Sequence, residues 1–176
     1  MRQLHPEIGF GFVIKWIAAA AVGNVLMYFF LAVILRLIDQ TDAVWLASPL
    51  LRLLVIVAIG AFAGAILGSA EAWPLVKYIS HPPHWILATA LGVAIGFGVK
   101  YLIPDSFLGD LTIGVAMGMC QWLVLRREVS EAGWWIPANM IAWPLKGSTI
   151  VLGVALWLLF RRTQATVSAE STTVPS

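Results

Sequence analysis

Charge is what this sequence has least of. Asp, Glu, Lys and Arg make up 11% of its 176 residues, where a soluble domain carries about 25%. Cys120 is the single cysteine, which excludes an internal disulfide framework and a cysteine-based zinc site. Catalytic signatures are missing too: the chain has no HExxH, no GxSxG, no P-loop and no CxxC. Lys146 and Ser148 stand two apart, so on a straight helix they face different ways and form no dyad. What the chain does have is apolar surface, with hydrophobic residues at 60%. A sphere this small cannot bury so much, so the missing solvent is lipid. That excludes a soluble enzyme, a disordered chain, a coiled coil and an ordinary nucleic-acid-binding domain.

A bilayer core of about 30 Å takes roughly 20 apolar residues in a helix. Residues 17–35 and 53–70 carry no charge, and they predict spans over about 16–38 and 51–75. Further apolar stretches predict spans over about 84–103, 109–126 and 134–160, the last interrupted by Pro144, Lys146 and Gly147. Turn residues separate them: Asp39 to Asp42, Ser80 to Pro83, Pro104 to Ser106 and Glu128 to Gly133. The runs are continuously apolar rather than alternating, which predicts an all-α polytopic bundle and not a barrel. Five spans place the two ends of the chain on opposite faces. The first run is too long for a signal-peptide core and Asp39-Gln40 offer no small-residue cleavage site, so a retained helix is expected. Residues 1–162 then form a single transmembrane domain, and the Ser/Thr-rich stretch 163–176 is expected to be a disordered polar tail.

Orientation follows Lys and Arg in short loops. Arg2, Lys15, Lys77, Arg126 and Arg127 fall on one side of a five-span chain; Arg36, Arg52, Lys100, Arg161 and Arg162 fall on the other. The count ties. Arg126-Arg127, tight against a span end, tip it towards the N-terminus inside.

A shift of fifty residues brings the two later hairpins, about 60–103 and 110–160, into one frame. Gly64 falls on Gly114, Gly68 on Gly118, Glu71 on Gln121, Leu75 on Leu125, Lys77 on Arg127, Trp85 on Trp135, Ile86 on Ile136 and Ala88 on Ala138. Copies containing two spans each keep the same orientation, as parallel repeats. Gly60, Gly64 and Gly68 are four apart, as are Gly92 with Gly96 and Gly114 with Gly118. That spacing lines one helix face with small residues and lets a neighbouring backbone approach, within the chain or across a homodimer.

The segment 114–143, GVAMGMCQWLVLRREVSEAGWWIPANMIAW, resembles a loose group of uncharacterised bacterial multi-pass membrane proteins. Their shared frame is G-x3-G-x2-Q-W-L-V-L-R-R, a polar link, then A-G-W-W. The resemblance covers one hairpin, with a weaker echo at 64–93, and implies a bacterial inner-membrane setting and repeated hairpins. It carries over no activity, cofactor or catalytic residue. Five spans rich in Trp are also similar to the tryptophan-rich sensory proteins that bind porphyrins, but the Pro-Pro-His-Trp stretch at 82–85 lies away from that family's signature.

Nine tryptophans read mainly as an aromatic belt at headgroup level, with Trp16, Trp73, Trp85, Trp122, Trp134 and Trp135 near one face. A platform for a porphyrin, quinone or carotenoid is the weaker reading, and no cofactor is expected. His5, His81 and His84 read as solvated loop histidines, because Pro82 and Pro83 break any ligand spacing. Lys146 is the informative exception: eleven residues past Trp135, it falls about 16 Å along a helix, near the midplane, where charge is costly. Pro144 before it and Gly147-Ser148 after it mark a kink. Glu71 is its expected partner, with Gln121, Asn139 and Asn24 completing a polar membrane site. The sequence therefore predicts a non-enzymatic integral membrane protein, an accessory or scaffold subunit or a homo-oligomer. The alternative is a small transporter or channel-like protein with its site around Lys146. Expected partners are the lipid bilayer and either a larger membrane complex or further copies of the chain, and no nucleic acid.

Overall fold

A computed structural model describes residues 9–40, 48–103, 105–145 and 149–172. Every regular element among them is helical: α1 (Phe10–Asp39), α2 (Pro49–Leu75), α3 (Pro82–Leu102), α4 (Ser106–Leu125), α5 (Trp135–Ala142), preceded by a 3-10 turn over Ala132–Trp134, and α6 (Thr149–Thr172). Proline starts two of them, α2 at Pro49 and α3 at Pro82, where the missing N–H costs nothing. Asp105 caps α4 by accepting a hydrogen bond from the Leu108 amide at 2.8 Å. Helices α1 to α4 are long and apolar enough to cross a membrane, and they make the chain an integral, multi-pass membrane protein.

Successive helices run in alternating directions and pack on their chain neighbours, and α6 closes back on α1. One end of the bundle gathers the start of α1, the turns at 76–81 and 126–134, and the start of α5. We call it the loop face. Its turns are tied together: the Ser80 amide donates to Glu128 Oε1 at 2.9 Å. Beneath them lies an apolar core of Phe12, Trp16, Leu75, Ile79, Trp85, Leu125, Val129, Trp135, Leu156 and Phe160, all buried. A second cluster, around Met27, Leu67, Val93, Met117 and Trp143, fills the bundle further from that face.

The stretch 134–160 is not one crossing helix. After eight residues α5 stops at Ala142, a turn follows over 143–145, and α6 runs back towards the loop face. Its direction is fixed by contacts at both levels. Gly153 lies against Ile17 and Trp16, whereas Phe160 meets Phe12 and Tyr78, with ring centroids 6.3 and 6.0 Å apart. At the loop face, Thr163 Oγ1 accepts from the Ser130 amide at 3.1 Å and Arg162 pairs with Glu131 at 2.7 Å. Residues 162–163 therefore stand at the same end of the bundle as the start of α1, where a fifth full span would have carried them to the opposite end. The physical reason is length. Between Thr149 and Phe160 α6 offers only about 18 Å of apolar helix, short of a 30 Å core.

The tail expectation also changes, because α6 continues as helix to Thr172. Its extension begins where Thr163 and Arg162 are held by the loop-face turn, and the Thr163 and Thr166 hydroxyls donate to the carbonyls of Leu159 and Arg162. Residues 173–176 lie outside the described residues.

A buried polar centre as the candidate functional site

The last turn of α2 and the first turn of α3 bring Glu71 and Trp85 together across the 76–81 connection. Glu71 is 2% exposed and Trp85 fully buried. The indole Nε1 of Trp85 donates to Glu71 Oε2 at 3.1 Å. At the end of α4 and the start of α5, the Nε1 of Trp135 donates to Gln121 Oε1 at 2.8 Å. The two bonds join α2 to α3 and α4 to α5; each spans fourteen residues, and their partners stand fifty residues apart in the chain.

Gln121 couples the two pairs. Its Nε2 donates to Glu71 Oε2 at 3.1 Å and to Thr89 Oγ1 at 2.9 Å. Both amide hydrogens and the amide oxygen are then occupied, the full donor complement of the group. Thr89 and Asn139 occupy matching places one turn along α3 and α5. Thr89 Oγ1 donates to the Trp85 carbonyl at 2.9 Å, and Asn139 Nδ2 donates to the Trp135 carbonyl at 3.0 Å. Around them stand three fully buried indoles, Trp16 against Trp135 at 6.2 Å edge to face and Trp85 against Trp135 at 5.9 Å. Such aromatic contacts add about 0.5–1.5 kcal/mol each beyond their burial. Two atoms here, Asn139 Oδ1 and Trp16 Nε1, have no partner among the described residues.

Close backbones make this centre possible. A Cβ on Gly64 would stand 2.7 Å from the Thr89 carbonyl oxygen, and one on Gly114 would stand 2.5 Å from that of Asn139. Gly68 meets Ile86 and Thr89, Gly118 meets Ile136 and Asn139, and Gly60 meets Ala94 and Phe97. Gly92 and Gly96 face Met117 and Ile113 on α4. Each of the seven therefore lies against another helix of its own chain.

Of the predicted polar residues, Glu71 and Gln121 meet directly and Asn139 is buried one turn from Trp135. Asn24 stands apart, its Nδ2 bonded to the Ala20 carbonyl of its own helix at 3.0 Å. Lys146, the expected partner of Glu71, lies outside the described residues. Three members were not foreseen: Trp85, Trp135 and Thr89. The sequence places the two indoles, with Trp16, in a headgroup belt. They turn inwards because Glu71 and Gln121 supply buried acceptors for Trp85 and Trp135, while Trp73 and Trp134 do face outwards at 68% and 66% exposure. His81 and His84 meet edge to face with ring centroids 5.0 Å apart, and among the described residues no group of three side chains could hold a metal ion.

No family model, curated protein or solved structure matches this chain.

Proposed function

We propose that the chain is a non-enzymatic accessory or scaffold subunit of a membrane assembly, or a homo-oligomer. The observation that carries this reading is how the polar centre uses its groups. Glu71 Oε2 and the Gln121 amide bond two indoles, one hydroxyl and each other, inside a core with three fully buried tryptophans. A connected buried network of this kind holds helices in one arrangement. It is a clasp joining α2, α3, α4 and α5. What the frame offers outwards is apolar: Val22, Val25, Leu26, Phe29 and Val33 form an exposed stripe on α1, at the spacing of a helix-binding face.

Two finer readings belong with it. Segments 60–103 and 110–160 are two copies of one hairpin, supported by the paired bonds and glycine contacts fifty residues apart. The bundle has four crossings plus α5 and α6 as a re-entrant pair, in a bacterial inner membrane with the N-terminus inside. Folding α6 back puts Lys15, Lys77, Arg126, Arg127, Arg161 and Arg162 on the loop face, against Arg36, Arg52 and Lys100 on the other, and cationic loops stay in the cytoplasm. Thiol labelling in a Cys120→Ser background tests this. Ser80→Cys and Thr166→Cys should react from the cytoplasm and Gln40→Cys from outside; Ser80 and Thr166 on opposite sides would refute it.

Extraction in mild detergent with native mass measurement tests the function. A stoichiometric complex, with another chain or with further copies, is expected, and it should dissociate when Val22, Val25 and Phe29 are replaced together by Ala. A monomer that moves solute in liposomes and loses that activity in Lys146→Ala would instead support the transporter reading. That alternative draws on the break between α5 and α6, where irregular backbone at membrane depth lines polar paths.

A further inference from the structure

Two of the loop-face cations share a cavity away from the polar centre. Lys15, in the second turn of α1, and Lys77, just past the end of α2, line one cavity of about 420 Å³ together with Phe12, Trp73, Pro74 and Tyr78. Neither ammonium forms an ion pair with a described acidic side chain. The remaining wall is largely apolar and firmly built: Tyr78 packs edge-on against Phe12 with centroids 4.7 Å apart, and Phe12 in turn against Phe160. Trp73 stands outwards beside the opening at 68% exposure, as an indole does at headgroup level.

We propose that this cavity binds the phosphate headgroup of an anionic phospholipid. Two like charges at one opening repel each other until an anion sits between them, and a phosphate offers acceptor oxygens to both. The volume is within the range of ligand clefts, about 300–1,000 Å³. Apolar walls beside the cations suit the glycerol and upper acyl chain that a lipid carries and a free phosphate lacks. Basic pockets between transmembrane helices are where such headgroups bind. This site is independent of the accessory reading and stands or falls separately from it.

The test uses the purified full chain in detergent with equal amounts of phosphatidylglycerol and phosphatidylcholine of identical acyl chains, with retained lipid counted by native mass spectrometry. Phosphatidylglycerol should be retained in preference. Each of Lys15→Gln and Lys77→Gln should lower that preference about fivefold, and the double variant roughly 30-fold. Lys15→Arg with Lys77→Arg should keep it, and Arg36→Gln, at the far end of α1, should leave it unchanged. If the double glutamine variant does not fold, the two single variants carry the test. No preference in the wild type, an equal loss in Arg36→Gln, or displacement of the lipid by millimolar inorganic phosphate would overturn the proposal.

Discussion

Glu71 and Gln121 occupy corresponding places in two parts of the molecule, each at the end of a helix and each accepting from an indole fourteen residues later, yet one is an acid and the other an amide. The difference follows from their contact. An ionised carboxylate only accepts hydrogen bonds, whereas an amide donates two and accepts. Two carboxylates in contact in a dry core cannot both ionise, so a proton would have to bridge them. With one Gln, the same contact becomes a donor–acceptor bond of 3.1 Å, and a second amide hydrogen is left for Thr89. The acid and the amide are complementary at this contact, one accepting and the other donating.

The comparison can be broken most severely at the amide. Gln121→Glu puts two acids in contact that can keep only a shared proton between them and removes the amide N–H that Thr89 accepts, leaving its bond to the Trp85 carbonyl. It should cost about 3–5 kcal/mol, the scale of breaking a buried charged contact. Thermal unfolding in detergent, followed by tryptophan fluorescence, reads the loss. Glu71→Ala should come next. It leaves the Trp85 N–H unpaired and removes one of Gln121's acceptors, at about 1–3 kcal/mol for each stranded group. Smaller and more discriminating are Trp85→Phe and Trp135→Phe, which remove one donor each. Trp135→Phe takes from Gln121 Oε1 its donor and should destabilise by roughly 1–2 kcal/mol. Trp85→Phe leaves Glu71 Oε2 its bond from Gln121 and should cost about 0.5–1.5 kcal/mol, the net worth of one hydrogen bond. A large effect of one and none of the other would mean that only one half carries the clasp.

The flanking helices teach a second contrast. In the most apolar stretch of α1 17% of residues are buried, against 44% in α3. Helix α3 sits between glycine-bearing neighbours, while α1 turns most of its surface to the bilayer or to a partner.

Much of this was legible in the sequence. Uncharged runs and the prolines between them located α1 to α4 to within a few residues, except that α1 starts at Phe10 rather than near residue 16. The fifty-residue frame aligned Glu71 with Gln121 and Trp85 with Trp135 but did not say that each polar side chain meets its indole, and Lys146 was the expected partner of Glu71. The inward turn of the tryptophans was hidden because the bonds at 71–85 and 121–135 cross a loop, where no helical period applies. The fold-back of α6 was hidden because hydropathy over 134–160 counts residues and not direction. Pro144 and Gly147-Ser148, followed by an apolar run too short to span, were the available signal.

The central claim is that positions 71 and 121 form one donor–acceptor contact between corresponding places. Exchanging them tests it most directly. Glu71→Gln combined with Gln121→Glu keeps one amide and one acid at the contact and an acceptor for each indole, losing only the donation to Thr89. Thermal unfolding of the exchanged chain should recover at least half of the stability that Gln121→Glu alone removes. An exchanged chain as unstable as Gln121→Glu, or less stable, would contradict the contact.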